Sequence, residues 1–314
     1  MRLTSFAPRA LLLGSLILCL MACGIGGPGD NNNNNLQRPD SGADSAVPDG
    51  GGNNNNATSV QSLTVEELRA DYIFETLGQT IVDLRGAIEC QLAHIPDAYC
   101  VPEEELWDGS AFIGNAGALT VLTTAEVNPL IFYGSASQSQ IAQDIAEAAL
   151  GLGYSDVYVV EGGIEAWRAK GWYQDISRQG ILEAYYTSDA SENPIPDGVF
   201  IVDTMDAQTY AQQDPFNPGV GGHIKCAVNV DGNELWYGGE LKEDAAALLE
   251  ALGSVQEDPT FIFYCVNSGC ASSEAASFAA EALGYSKVLH YSEGLEDWQG
   301  SGHLVVTGTD PCGN

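Results

Sequence analysis

Pro259-Thr260-Phe261-Ile262-Phe263-Tyr264-Cys265 is an apolar run closing on a tyrosine, and Pro129-Leu130-Ile131-Phe132-Tyr133-Gly134 is a second run of the same build. Short runs without apolar–polar alternation read as strands buried on both faces, the signature of a parallel sheet covered by helices. Each is followed by a small polar loop and an Ala-rich helical pattern, Ile141 to Leu150 in one copy and Ser272 to Leu283 in the other. Gly153-Tyr154 and Gly284-Tyr285 then stop these helices, as a glycine just past the last turn does. A second strand follows, Val157 to Val160 or Val288 to Tyr291. A closing element ends each copy, Gly163-Ile164-Glu165-Ala166-Trp167 or Gly294-Leu295-Glu296-Asp297-Trp298. From Tyr133 to Trp167 and from Tyr264 to Trp298 the copies keep a constant offset of 131 without a gap. The chain is an internal repeat.

The repeat extends upstream. Ile81-Val82-Asp83 answers Ile201-Val202-Asp203, and Ala93-His94-Ile95 answers Gly222-His223-Ile224, with a longer surface loop around Gln212 to Gly221 in the second copy. Strands alternating with helices predict βαβ units. The fold class expected is α/β: two domains, residues 61–175 and 176–314, each a parallel sheet covered by helices on both faces. Leu241, Ala245, Leu248, Leu249 and Leu252 predict a further covering helix over Leu241 to Leu252.

The N-terminal segment has a different character. Arg2 and Arg9 precede the apolar run Ala10 to Leu20, which is too short for a stable membrane span, and Leu20-Met21-Ala22-Cys23 follows. The order is that of a secretory signal peptide over residues 1–23, and its end resembles the lipobox of bacterial lipoproteins. That resemblance implies Cys23 as the lipid attachment site and a lipid-anchored protein of the bacterial cell envelope. Gly24 carries no acidic retention signal, so the outer membrane is expected where one exists. Ordinary signal cleavage and an uncleaved short anchor are the competing readings. Residues 24–60, with Asn31 to Asn35 and Asn53 to Asn56, are too poor in apolar side chains to fold and read as a disordered tether.

The 314 residues include 45% hydrophobic ones, enough for two cores, but only 11 Lys and Arg stand against 43 Asp and Glu, a formal net charge of −32. Such a polyanion repels phosphate backbones, which excludes nucleic acid as an ordinary partner.

The ordered set is "VD" at a strand end, then "AHI" or "GHI", then a tyrosine closing an apolar strand (followed by Cys265 in the second copy), then "GY", and finally glycine and Trp in the closing element. It resembles the rhodanese, or sulfurtransferase, family along nearly all of both domains. The resemblance implies that Cys265 is the catalytic residue and that Val266, Asn267, Ser268, Gly269, Cys270 and Ala271 wrap its sulfur with backbone donors. Ser268 and Ser272 would be side-chain helpers. The implied reaction passes sulfane sulfur through a Cys265 persulfide to a thiophilic acceptor, with no cofactor and with a small sulfane-sulfur donor or a protein persulfide as partner. Apart from the resemblance, a cysteine on a strand-to-helix turn is favoured as thiolate by the helix dipole. Gly134 stands at the matching place in the first domain and has no nucleophile, so that domain is expected to be silent. The alternative function is a non-catalytic binding or scaffold lipoprotein with an envelope protein partner.

This sequence departs from the family in its loop, which carries no Arg or Lys. Beyond Arg178 the second domain has only Lys225, Lys242 and Lys287 as cations. An anionic donor such as thiosulfate loses steering and charge-assisted hydrogen bonds there, and a phosphatase reading fails for the same reason. Cys270 is either a resolving thiol for Cys265, a buried small residue, or half of a permanent disulfide. Cys90 and Cys100 are close enough in sequence for a structural disulfide, leaving Cys226 and Cys312 for another. His94, His223, His290 and His303 lack metal-site spacing, and no metal is expected. Asp83 and Arg85 read as a structural ion pair, and Trp167 and Trp298 as core anchors.

Overall fold

The computed structural model describes residues 59–73, 78–113, 119, 129–186, 195–212 and 221–313. Cys23, the expected leader, nearly all of the expected tether and most of the lengthened loop lie outside them. Strands β1 (Gln61–Leu63), β2 (Thr80–Asp83), β3 (Ala98–Cys100), β4 (Leu130–Tyr133) and β5 (Val157–Val160) form one sheet in the order β1-β5-β4-β2-β3. The second sheet begins with β6 (Gln174–Asp175) and β7 (Val199–Asp203). After β8 (His223–Ile224), which lies outside it, come β9 (Val228–Asn229) and a separate hairpin of β10 (Trp236–Tyr237) and β11 (Glu240–Leu241). With β12 (Thr260–Tyr264) and β13 (Lys287–Tyr291), the order is β6-β13-β12-β7-β9. β14 (Val305–Val306) pairs antiparallel with β8. Both five-stranded sheets are parallel throughout and repeat one permutation.

The central strands explain why the apolar runs read without alternation: Leu130 to Tyr133 and Phe261 to Tyr264 are wholly buried. On one face of the first sheet the helix Ser139–Gly151 buries Ala142, Ile145, Ala146 and Ala149, a single stripe at helical spacing. Its counterpart Ser272–Ala282 buries only Ser and Ala, so its backbone can lie close to the strands. On the other faces lie the helices Gly163–Ala169 and Gly294–Gly300. Each is anchored by a fully buried tryptophan, Trp167 or Trp298, whose indole N–H donates to Tyr173 O at 2.9 Å or to Leu304 O at 3.1 Å.

Two expectations need correction. Gln174–Asp175 pairs with β13 of the second sheet, so the boundary expected at 175/176 falls a few residues earlier. The helix expected over Leu241 to Leu252 is shorter, Ala245–Glu250, because Glu240 and Leu241 are taken by the hairpin with Trp236 and Tyr237. Leu241 is accordingly exposed.

The two sheets belong to one compact unit. The backbones of His94 and Asp175 exchange hydrogen bonds at 2.9 Å each way, Arg69 meets Glu281 at 2.8 Å, and the Tyr173 hydroxyl donates to Glu274 at 2.9 Å.

Candidate active site

Cys265 stands immediately beyond β12, and Gly134 immediately beyond β4, where each chain leaves the centre of its sheet for a loop. The same clamp holds both turns. The Leu295 amide donates to Cys265 O at 2.9 Å, and the Ile164 amide to Gly134 O at 3.0 Å. The clamp needs glycine: Gly294 and Gly163 have φ of +66° and +58°, and a Cβ would lie 2.4 Å from Cys265 O or 2.1 Å from Gly134 O. A further bond from the Glu296 amide to Val266 O, at 2.9 Å, fixes the second loop alone.

Above this base the sulfurs of Cys265 and Cys270 are joined in a disulfide, with Cα atoms 6.1 Å apart. Cys265 is 2% exposed and Cys270 8%, beneath the exposed Ser268 and Gly269. The loop is folded on Asn267, whose carboxamide oxygen accepts from the Gly269 amide and whose backbone carbonyl accepts from the Cys270 amide, both at 3.0 Å. Two amides expected to serve the sulfur are therefore spent within the turn. Ser272 is not a helper either, since its hydroxyl donates to Thr204 O at 2.8 Å and ties the helix to the end of β7. Cys265 and Cys270 are brought together as a bonded pair, so this closed state holds no free thiolate.

The first loop shows what replaces a nucleophile. A Cβ on Gly134 would lie 2.9 Å from Gln138 Cβ and 3.0 Å from its Oε1. The Gln138 amide group, held by Glu103 at 2.9 Å and by the Ser135 hydroxyl at 2.9 Å, fills the space a cysteine side chain would need. The residue answering Gln138 in the second copy is Gly269.

Beneath each loop lies a buried carboxylate. Asp83 is gripped by Arg85 through Nε at 3.0 Å and Nη2 at 2.5 Å, and the Tyr133 hydroxyl donates to it at 2.8 Å. Asp203 is equally buried, but Met205 stands where Arg85 does. The Met205 amide donates to Asp203 Oδ1 at 2.9 Å, and Oδ2 finds no hydrogen-bond partner. Burial pushes the Asp203 carboxyl up to about 7, with Tyr264 and the Met205 amide opposing.

The acidic residues around the second loop sharpen its lack of cations. Arg178 is bound to Asp297, which also accepts from Tyr291 at 2.6 Å, and burial raises the Glu293 carboxyl above its ordinary range.

Reasoning from sequence missed a buried relay within the second sheet's surroundings, reaching back to its first strand. Ser273 Oγ lies 3.0 Å from His290 Nε2, and His290 Nδ1 lies 2.9 Å from Asp175 Oδ1. Burial opposes charge on both partners, yet each favours the other's ion, so His290 sits above and Asp175 below the ordinary value. A signal existed, because Ser273 and His290 answer the apolar Ala142 and Val159 of the first copy. Elsewhere Cys90 is bonded to Cys100 and Cys226 to Cys312. His94, with Nδ1 2.9 Å from Cys90 O, comes within 4.8 Å of both sulfurs of the first bond, a Cys-His-Cys grouping that the sequence spacing hid. His223 stacks on Tyr210 with ring centres 3.8 Å apart and is held by Tyr210 O and Pro311 O.

Comparison with known proteins follows the same outline. The thiosulfate sulfurtransferase GlpE of Pseudomonas savastanoi pv. phaseolicola is 36% identical over 103 residues, which are 33% of this chain and 83% of that protein. GlpE of Pseudomonas putida is 33% identical over 106 residues, 34% of this chain and 83% of that protein. Among solved structures, the 3-mercaptopyruvate sulfotransferase SseA of Escherichia coli covers 76% of this chain and 99% of its own at 20% identity, with a TM-score of 0.31. The rhodanese-like domain model matches residues 64–170 and again 187–301. Both halves of the chain thus belong to the rhodanese-like family, which makes it a tandem rhodanese-like protein.

Proposed function

We propose that this protein is a sulfurtransferase whose second domain carries sulfane sulfur on Cys265. The observation that supports the reading is the placement of Cys265: of the two equivalent loop positions it alone bears a nucleophile, at the end of the central strand and ahead of the helix Ser272–Ala282. The reaction is a double displacement, begun once a thiol reductant has opened the bond to Cys270. The Cys265 thiolate attacks the outer sulfur of a donor, the donor's thiolate leaves, and an acceptor nucleophile then takes that sulfur from the persulfide. Donors bearing a thiol-bound sulfur outrank thiosulfate, because the loop has no cation and its neighbours are acidic. The first domain turns nothing over and serves as support. We further propose that the work is done at the cell envelope, with the chain held to the membrane through lipidated Cys23; among the described residues no helix is long and apolar enough to cross a membrane.

The test is sulfur transfer by the reduced full-length chain with several sulfane donors, beside Cys265→Ser. Turnover that the variant loses supports the enzyme. The closed disulfide and the 2% exposure of Cys265 favour one other reading, a rhodanese-fold binding protein of the envelope. Silence with every donor under reducing conditions selects it.

A further inference from the structure

Resting on the Cys265 persulfide reading, we propose that Cys270 is the thiol that discharges it, attacking Cys265 Sγ and displacing the carried sulfur. The domain then releases hydrosulfide, and a dithiol reductant resets it. Three observations carry this. The sulfur of Cys270 reaches that of Cys265 with the loop still clamped by Leu295 and Glu296, so the geometry of an internal attack exists in the folded chain. The two cysteines are also lost together in the first domain, where Gly134 and Ser139 hold the matching positions. Finally, Cys265 is nearly sealed in the closed chain and its loop carries no Arg or Lys, which leaves the internal thiol better placed than an anionic external acceptor.

The chemistry balances in two steps. The Cys270 thiolate attacks Cys265 Sγ, the Cys265–S–S–Cys270 bond forms, and the terminal sulfur leaves with its hydrogen as hydrosulfide. The persulfide sulfur is reduced to sulfide at the expense of the two thiols. A dithiol then attacks Cys270, the more exposed of the two residues, and expels Cys265 as a thiolate. Its second thiol attacks the mixed disulfide and frees Cys270, so the reductant leaves as its own disulfide. The structure shows the domain at the end of the first step.

The experiment loads the reduced full-length chain with a low-molecular-weight persulfide and removes excess reagent. It then follows hydrosulfide and the mass of the Cys265 peptide, for wild type and for Cys270→Ser. Wild type is expected to release one hydrosulfide per chain without any added acceptor and to end as the disulfide, which dithiothreitol reopens. Cys270→Ser is expected to retain one extra sulfur on Cys265, with spontaneous release slowed at least about tenfold, and to discharge it when thiol is added. Near-ultraviolet circular dichroism checks that the variant is folded. A wild-type chain that keeps its persulfide while Cys270 stays alkylatable overturns the proposal. If neither protein ever gains sulfur on Cys265, the persulfide reading itself fails.

Discussion

The two halves of this chain share one sheet permutation and one clamped loop, and they differ in what is placed above and below it. In the first, Asp83 has Arg85 as counter-ion, and Gln138 fills the loop over a glycine. In the second, Asp203 has no counter-ion, Met205 replaces the arginine, Gly269 leaves the loop open, and Cys265 with Cys270 occupies it. The first half thus holds an ion pair and a filled loop where the second holds an unpaired carboxyl oxygen and a cysteine pair. The halves differ by a few side chains at one shared end of two parallel strands, while the clamp, Gly163 with Ile164 or Gly294 with Leu295, is the same in both.

Converting one half into the other tests that account. Arg85→Met gives Asp83 the surroundings of Asp203 without any evolved repacking. Removing one partner of a buried pair costs about 3–5 kcal/mol, read as a shift in the denaturant midpoint. A loss near zero would mean that the pair contributes nothing.

The reverse comparison concerns pH. The Asp203 carboxyl is raised to about 7 in the folded chain, so folding favours its protonated form. Stability from this group is full below the ordinary value near 3.8, falls as pH rises from there to about 7, and is constant above. The greatest cost is on the order of 4 kcal/mol at one pKa unit per about 1.4 kcal/mol. Asp203→Asn should recover much of it at pH 8 and none at pH 4, and Met205→Arg should flatten the same slope. Equal effects at both pH values would contradict the assignment.

Smaller effects fall at the clamp. Alanine at Gly163 or Gly294 meets a carbonyl oxygen and a left-handed φ, with an expected loss of about 1–3 kcal/mol in either half. Only Gly294→Ala should also depress sulfur transfer. The smallest change expected is Gly134→Cys, which should create no turnover because Gln138 occupies the space; Gln138→Gly beside it should permit measurable sulfur uptake. Uptake by the single variant would show that Gln138 is no barrier.

Most of the architecture was legible in the residues, because buried parallel strands and their covering helices impose apolar runs and stripes that no surface constraint disturbs. The misreadings occurred where a short tertiary pairing competes with local pattern: Glu240-Leu241 joined a hairpin, and Gln174-Asp175 joined the neighbouring sheet. Within the candidate site, Cys265 and its loop were chosen from position along the chain alone. Ser272, read as a helper, is bound to Thr204, and the Gly269 and Cys270 amides turn to Asn267, since the direction of a donor is a property of folded geometry. The Ser273–His290–Asp175 relay joins residues far apart in sequence, and only the polar–apolar mismatch between repeats hinted at it.

Isotopically labelled sulfane sulfur, given to the reduced full-length chain and mapped by mass spectrometry after rapid quenching, decides the matter most directly. The label should appear on the peptide bearing Cys265 and vanish in Cys265→Ser, with Cys90, Cys100, Cys226 and Cys312 unlabelled. Label on any of those four, or none on Cys265 while the thiol is demonstrably free, would contradict the division of labour between the two halves.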